Sequence, residues 1–271
     1  MQEKDYAKTT FDDVALRYDE IEFFKISARH VAKMLQELPN KEKLDILDVA
    51  CGTGNVVVEC ASVLKDAKFD AIDISEGMLA VAKQNANERN IDNINFQMQD
   101  IAKLSLDKKY SAITCSYALF FMSDSVNVLK SLVGLLKYDG ILIFTTFLEK
   151  AFSPTVDIFL SLLKKYGSSS ALEYNPSTWD KLKRTKDIKY LCEQAGINQV
   201  KIDTKEIRYA LDLDAWWELL NNTGFKGMLM ELSSNDYERV KKEYRQEMLV
   251  HVNADGEVEL IADTFFVLVR R

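Results

Sequence analysis

Between residues 45 and 150, short apolar runs alternate with longer stretches whose apolar positions recur every three or four residues. The runs at 45–50, 68–72, 94–98, 110–116 and 141–147 are rich in β-branched and aromatic residues and nearly continuous in hydrophobicity, as strands covered on both faces are. Helical spacing fills 56–64, 77–87 and 125–136. This alternation predicts an α/β fold, in which βαβ units wind around a mostly parallel sheet with helices on both faces.

The flanks read differently. Residues 6–38 have helical spacing, and Pro39-Asn40 closes them off as an N-terminal helical arm. After residue 150 the alternation becomes irregular. Ser153-Pro154 opens a helix through 166, Gly167 and three serines break it, and a helix at 185–195 ends at Gly196. Loose alternation over 199–209 predicts a sixth strand, followed by helical segments at 214–221 and 235–250, a turn at Asp255-Gly256 and a last strand at 264–269. With three prolines and no flexible linker, one domain is expected: arm 1–40, binding core 41–150, helical cap inserts 148–184 and 210–256, final strand 257–271.

Composition narrows the partners. A chain of 271 residues that is 47% hydrophobic and 28% charged has ample material for a core. Its 35 Lys and Arg against 42 Asp and Glu give a net charge of −7, the wrong sign for gripping a phosphate backbone, so nucleic acid is disfavoured. Charge-free stretches such as 111–123 fall short of the roughly 18 to 20 apolar residues of a membrane span, and the mixed-charge opening Met1-Gln2-Glu3-Lys4-Asp5 does not read as a secretory signal. Four cysteines without CxxC spacing read as reduced thiols in a cytoplasmic protein, and two histidines leave few ligands for a metal.

The chemistry concentrates in Leu47-Asp48-Val49-Ala50-Cys51-Gly52-Thr53-Gly54-Asn55-Val56, where a strand ends in an acidic residue and a Gly-x-Gly turn opens a helix. Glycine lets backbone amides approach a ligand at the positive end of the helix dipole. The dinucleotide fingerprint needs a third glycine where Val57 stands, and no Gly-Lys-Ser/Thr of a P-loop follows. Asp48, four residues before the first glycine, would repel a pyrophosphate but suits an ammonium or sulfonium cation, the charge pattern of S-adenosylmethionine. Asp73, 19 positions after Gly54 and one residue past the second strand, is placed to accept hydrogen bonds from two ribose hydroxyls, a feature that by itself also fits NAD.

Together, Asp48-x-x-x-Gly52-x-Gly54, Asp73-Ile74-Ser75-Glu76-Gly77-Met78-Leu79, Gln99-Asp100, the stretch 110–122 and Tyr138-Asp139-Gly140-Ile141-Leu142 resemble the successive motifs of class I S-adenosylmethionine-dependent methyltransferases. The pattern is nearest to small-molecule enzymes of the ubiquinone/menaquinone-biosynthesis type, and Phe11 to Asp19 resembles the arm that precedes their core. The resemblance implies a Rossmann-like seven-stranded sheet whose last strand is antiparallel. It places Asp48, Gly52 and Gly54 at the methionine part, Asp73 at the ribose, Ile74 and Met78 around adenine, and Asp100 and Ile101 at the adenine amino group. Ser116 belongs to the same cofactor set, and Tyr18 reaches the methionine carboxylate.

Two residues are assigned to the chemistry itself: Tyr117, just after the fourth strand, is expected to face the transferred methyl, and His251, the one histidine outside the arm, is a candidate base. Phe120, Phe147 and Trp217 are candidate substrate walls, since adjacent tryptophans at 216 and 217 point in different directions on a helix. The basic run Lys181, Lys183, Arg184, Lys186 and Lys189 reads as a solvated helix edge, with an anionic substrate or partner as the other reading. The expected activity is methyl transfer from S-adenosylmethionine to a small acceptor with an apolar or aromatic body. The alternatives are a non-catalytic S-adenosylmethionine-binding or scaffold protein and, with less support, a nicotinamide-dependent oxidoreductase. Protein or RNA methylation is disfavoured because Ser116-Tyr117-Ala118-Leu119 stands where an Asn-Pro-Pro-Tyr-type motif would be.

Overall fold

The computed structural model describes residues 3–38, 43–104, 106–173 and 182–271, the side chains of 3–6 and 173 excepted; Pro39-Asn40 and Lys181 lie outside the described residues. Strand β1 (Asp45–Val49) pairs in parallel with β2 (Lys68–Asp73) on one side and β4 (Tyr110–Ser116) on the other. β3 (Ile94–Met98) extends the sheet beyond β2, and β5 (Leu136–Phe147) extends it beyond β4. Antiparallel to β5 runs β9 (Thr264–Arg270), and β6 (Val200–Lys205) closes that edge. The seven strands lie in the order β3-β2-β1-β4-β5-β9-β6, so the winding direction reverses between β1 and β4. Ligands of open α/β sheets bind at the carboxyl ends of the strands at such a switch point.

The sheet is buried on both faces, and successive residues choose opposite sides. Ile46, Ile143 and Phe266 join one core, with Val31 and Leu35 of the arm and with helix α3 (Asn55–Val63). Leu47, Phe144 and Val267 join the other, with α5 (Ser125–Gly134). Helix α4 (Glu76–Glu88) makes the crossover from β2 to β3, its N-cap being Ser75, whose hydroxyl accepts from the Met78 amide.

A third core lies in the insert. Helices α6 (Thr155–Lys165), α9 (Leu213–Asn221) and α11 (Ser234–Met248) bury Phe159, Trp216, Trp217 and Tyr244 against a small antiparallel ribbon, β7 (Arg208–Asp212) and β8 (Glu257–Ile261).

Three expectations change here. The run 199–209 is two strands in two sheets, because Asp263 holds the corner: it accepts from the Ile207 amide at 3.1 Å and pairs with Arg208. The final stretch 257–271 is likewise two strands, one in the ribbon and one in the main sheet. The arm is two helices, α1 (Glu3–Val14) and α2 (Glu22–Gln36), joined by a single 3₁₀ turn at Tyr18–Glu20. The break lets Asp19 reach the β1 loop. Smaller shifts are that β5 begins five residues before 141, and that a short helix α7 (Ser169–Glu173) occupies part of the serine break. Helix α8 (Thr185–Gln194) precedes β6, and the short α10 (Lys226–Leu229) lies between α9 and α11. Among the described residues no helix is long and apolar enough to cross a membrane.

Candidate active site

A cavity of about 420 Å³ opens over the carboxyl ends of β1, β2 and β4, and a smaller one of about 50 Å³ adjoins it, sharing Tyr18, Gly52, Ser116 and Tyr117. The loops between them are tied by short backbone bonds. Gly52 has φ +55 and open space where a Cβ would stand, so the chain turns there and leaves its surface clear for a ligand. The Gly52 amide donates to Asp73 Oδ2 at 2.8 Å, and the Ser75 amide donates to Asp73 Oδ1 at 2.9 Å. Each carboxylate oxygen keeps a lone pair for a further donor, and Asp73 lines the large cavity. Burial raises the Asp73 pKa, and the amides oppose that rise.

Asp48 lies beneath the loop. Its Oδ1 accepts from the Thr114 hydroxyl at 2.6 Å, while its Oδ2 is buried without a hydrogen-bond partner and the residue lines the smaller cavity. Burial, reinforced by the charge of Asp73 and opposed by the Thr114 bond, pushes the Asp48 carboxyl up to about 7. A buried acceptor of this kind is costly unless a donor or cation meets it.

The arm is locked onto the same loops. Asp19 accepts from the Thr53 hydroxyl, from Asn55 Nδ2 at 2.7 Å and, through its other oxygen, from Asn85 Nδ2 at 2.6 Å. Asp12 accepts from the Ser75 hydroxyl at 2.6 Å and the Gly77 amide at 2.9 Å. Burial works against ionisation of Asp12, but the bonds from Lys8, Ser75 and Gly77 hold its carboxyl below the ordinary range. These contacts bring Phe11 and Tyr18 into the cavity wall.

A family described as a methyltransferase domain matches residues 40–196, the stretch that carries these loops. The chain belongs to the methyltransferase domain family. The malonyl-[acyl-carrier protein] O-methyltransferase of Acetivibrio thermocellus is 33% identical over 155 residues, covering 56% of this chain and 53% of that protein. Aklanonic acid methyltransferase of a Streptomyces species is 25% identical over 221 residues, 75% of this chain and 98% of that protein. The chain spans about half the length of the first curated relatives it matches. Among solved structures, magnesium protoporphyrin IX methyltransferase of Synechocystis with bound SAH aligns with a TM-score of 0.59 at 17% identity, covering 99% of this chain and 98% of that one, a likeness of fold.

Within this methyltransferase-domain chain, the residues assigned from sequence separate into three groups. Tyr18, Gly52, Asp73, Ile74, Met78, Asp100, Ile101, Ser116 and Tyr117 line the large cavity, and Asp48 lines the small one. Asp100 also caps the turn that follows it, accepting from the Ala102 amide at 2.9 Å. Gly54 lines neither cavity. It has φ +83 and sits where a Cβ would be 3.1 Å from Ala82 Cβ, so its place is explained by the close approach of α3 and α4. His251 lies exposed on a surface turn and outside both cavities, so the geometry gives it no access to a ligand there.

Phe120 and Phe147 line the cavity as expected, but Trp217 does not. Both tryptophans are fully buried: Trp216 Nε1 donates to the Val258 carbonyl at 3.1 Å, and Trp217 Nε1 donates to the Tyr237 hydroxyl at 3.2 Å. Of the basic run, Lys183 lines the cavity, whereas Lys186 and Lys189 are exposed on α8.

Tyr117 presents its ring. Its backbone has φ +52, held by amide bonds to the Thr145 carbonyl and hydroxyl, and its ring stacks on Phe147 at 4.4 Å with Phe23 and Phe24 edge-on. The Thr264 hydroxyl donates to the Ala262 carbonyl, so the Tyr117 phenol at 2.8 Å is the donor to Thr264. Burial pushes that phenol up to about 12, so it keeps its proton near neutral pH.

The carboxylates Asp12 and Asp19 and the rings of Phe23 and Phe24 escaped the sequence reading. The acidic-aromatic pattern of 11–24 was their available signal, but the loops that would meet them lie 34 to 66 positions away.

Proposed function

We propose that this chain transfers a methyl group from S-adenosylmethionine to a small acceptor with an apolar, ring-bearing body. The observation that carries this reading is the Gly52–Asp73 bond, which sets a bare glycine turn and a carboxylate side by side on the cavity in a chain of the methyltransferase domain family. The unpartnered Oδ2 of Asp48 fits the cationic amino-acid end of that cofactor, Asp73 its ribose, and Ile74 with Met78 the faces of its adenine. Bound there, S-adenosylmethionine supplies an electrophilic methyl on a sulfonium, whose sulfur becomes neutral once the methyl has moved.

The residues of the chain then have three tasks. Asp48, Asp73 and the glycine turn bind and orient; the arm, latched through Asp12 and Asp19, excludes water; Tyr117, Phe120, Phe147 and their neighbours hold the acceptor in line. An aromatic lining also favours a sulfonium held against ring faces. The cap formed by the arm and the inserts 148–184 and 210–256 belongs to this reading. A small-molecule acceptor is supported by the net charge of −7, and a cytoplasmic setting by four buried cysteines that are unpaired thiols.

Calorimetric titration with S-adenosylhomocysteine is expected to give micromolar affinity, and Asp73→Ala to weaken it roughly 100-fold, since a charged acceptor for two hydroxyls is lost. Failure of the folded wild-type chain to bind would sink the reading.

A further inference from the structure

Thr223 stands at the end of α9, where Asn221-Asn222-Thr223-Gly224-Phe225 leads into α10. It is 8% exposed, and it lines the large cavity together with Leu219, Gly224 and Phe225. Its hydroxyl is buried and has no hydrogen-bond partner. The neighbouring Asn221 differs in this respect: its Nδ2 donates to the Trp217 carbonyl at 2.9 Å, and its Oδ1 accepts from the Tyr237 hydroxyl at 3.1 Å. Thr155 and Tyr244 of the insert also bury unpartnered hydroxyls, but neither lines the cavity; among the described residues of the insert it is Thr223 that joins an unpartnered hydroxyl to a place in the cavity wall.

A Cβ on Gly224 would lie 3.6 Å from the Phe121 ring and 3.7 Å from the Phe11 ring, so this segment packs directly against two aromatic walls of the cavity. A buried hydroxyl without a partner is unfavourable, and such groups are uncommon unless they serve a ligand or an ordered water. One step about χ1 exchanges the hydroxyl and methyl of a threonine, which turns the oxygen toward the cavity without moving the backbone.

We infer that Thr223 is the acceptor-recognition residue, and that the acceptor is a ring compound bearing an oxygen substituent, a hydroxyl or an oxo group, which hydrogen-bonds to Thr223 Oγ1. This assignment rests on the methyl-transfer reading, and it names the acceptor's chemistry within that site. The insert contributes selectivity through this hydroxyl, because a site built to hydrogen-bond a substrate oxygen rejects the analogue that lacks it.

The test uses the full chain saturated with S-adenosylhomocysteine and two probes of nearly equal shape, 2-naphthol and 2-methylnaphthalene, titrated with naphthyl fluorescence as the signal. The wild type is expected to bind 2-naphthol about five- to tenfold more tightly, and Thr223→Val to bring the ratio close to one while S-adenosylhomocysteine affinity stays unchanged. The unliganded Thr223→Val protein is expected to melt at the wild-type temperature or above, because a methyl replaces an unpaired hydroxyl. A ratio that survives the substitution, binding of neither probe, or a melting temperature several degrees lower would each overturn the assignment. Loss of S-adenosylhomocysteine binding by the wild type itself would instead defeat the methyl-transfer reading, and the melting comparison reads Thr223 independently of it.

Discussion

The wall built from residues 50–103 and the wall built from the arm and the 210–256 insert enclose one cavity, yet they are assembled differently. The first comes from three consecutive strand-to-helix loops, and its key bonds are between backbone amides and carboxylates: Gly52 and Ser75 to Asp73. The second draws Phe11, Tyr18, Thr223 and Phe225 from opposite ends of the chain and is mostly apolar. A constant cofactor with several charged and hydroxyl groups calls for fixed polar partners at set spacing, which a loop after a strand supplies. An apolar body is held by shape, and many sequences fill the same shape. The difference predicts that damage to one wall spares the work of the other.

The largest effect on stability should come from the insert's core. Trp217→Ala is expected to cost about 3–5 kcal/mol in denaturant unfolding, because a fully buried ring packed against Phe159 and Tyr244 is removed. The remaining folded protein should keep its S-adenosylhomocysteine affinity; a parallel loss of binding would show that the two walls are coupled. Asp73→Ala is the converse case, with its large loss of binding on the other wall.

Next comes pH. Because burial pushes the Asp48 carboxyl up to about 7, it holds its proton at mildly acidic pH. A cationic ligand end requires the ionised form, so affinity for S-adenosylhomocysteine should fall by up to about tenfold per unit below pH 7 and level off above it. For folding stability the sign is opposite: a raised carboxyl pKa stabilises most below the ordinary carboxylate range, and that contribution is lost as pH rises through about 7. Asp48→Asn should flatten both profiles. Titrations between pH 5.5 and 8.5 check this, and an unchanged slope in the variant would assign the dependence elsewhere.

The smallest effect is expected from the arm. Asp19→Ala removes the acceptor for Thr53, Asn55 and Asn85, and should weaken S-adenosylhomocysteine about five- to tenfold while speeding proteolysis between α1 and α2. Equal affinity with faster cleavage would mean that the arm closes over the acceptor alone.

Much of the first wall was legible in the residues. Asp48, Gly52 and Asp73 line the cavities because each lies at or just past the end of a strand that its own hydrophobic run announces. For Gly54 the spacing pointed to a ligand turn and did not reveal that α4 brings Ala82 against it. His251 was singled out for its chemistry, but its helix end faces solvent. The tryptophan pair was expected to divide between core and pocket; instead α9 is covered on both sides, by the ribbon at Val258 and by α11 at Tyr237.

The βαβ core, the order of its motifs and the place of Asp48, Gly52 and Asp73 on the cavities were legible in the chain alone, because strand periodicity, glycine turns and carboxylate spacing are local properties carried within about 30 residues. Only the tertiary structure decided that 199–209 divides between two sheets, that Asp12 and Asp19 fasten the arm, and that Thr223 reaches the cavity with its hydroxyl unpaired. Those outcomes depend on contacts between segments far apart in the chain, where burial and hydrogen-bond satisfaction are settled by what packs alongside and not by what comes next in sequence.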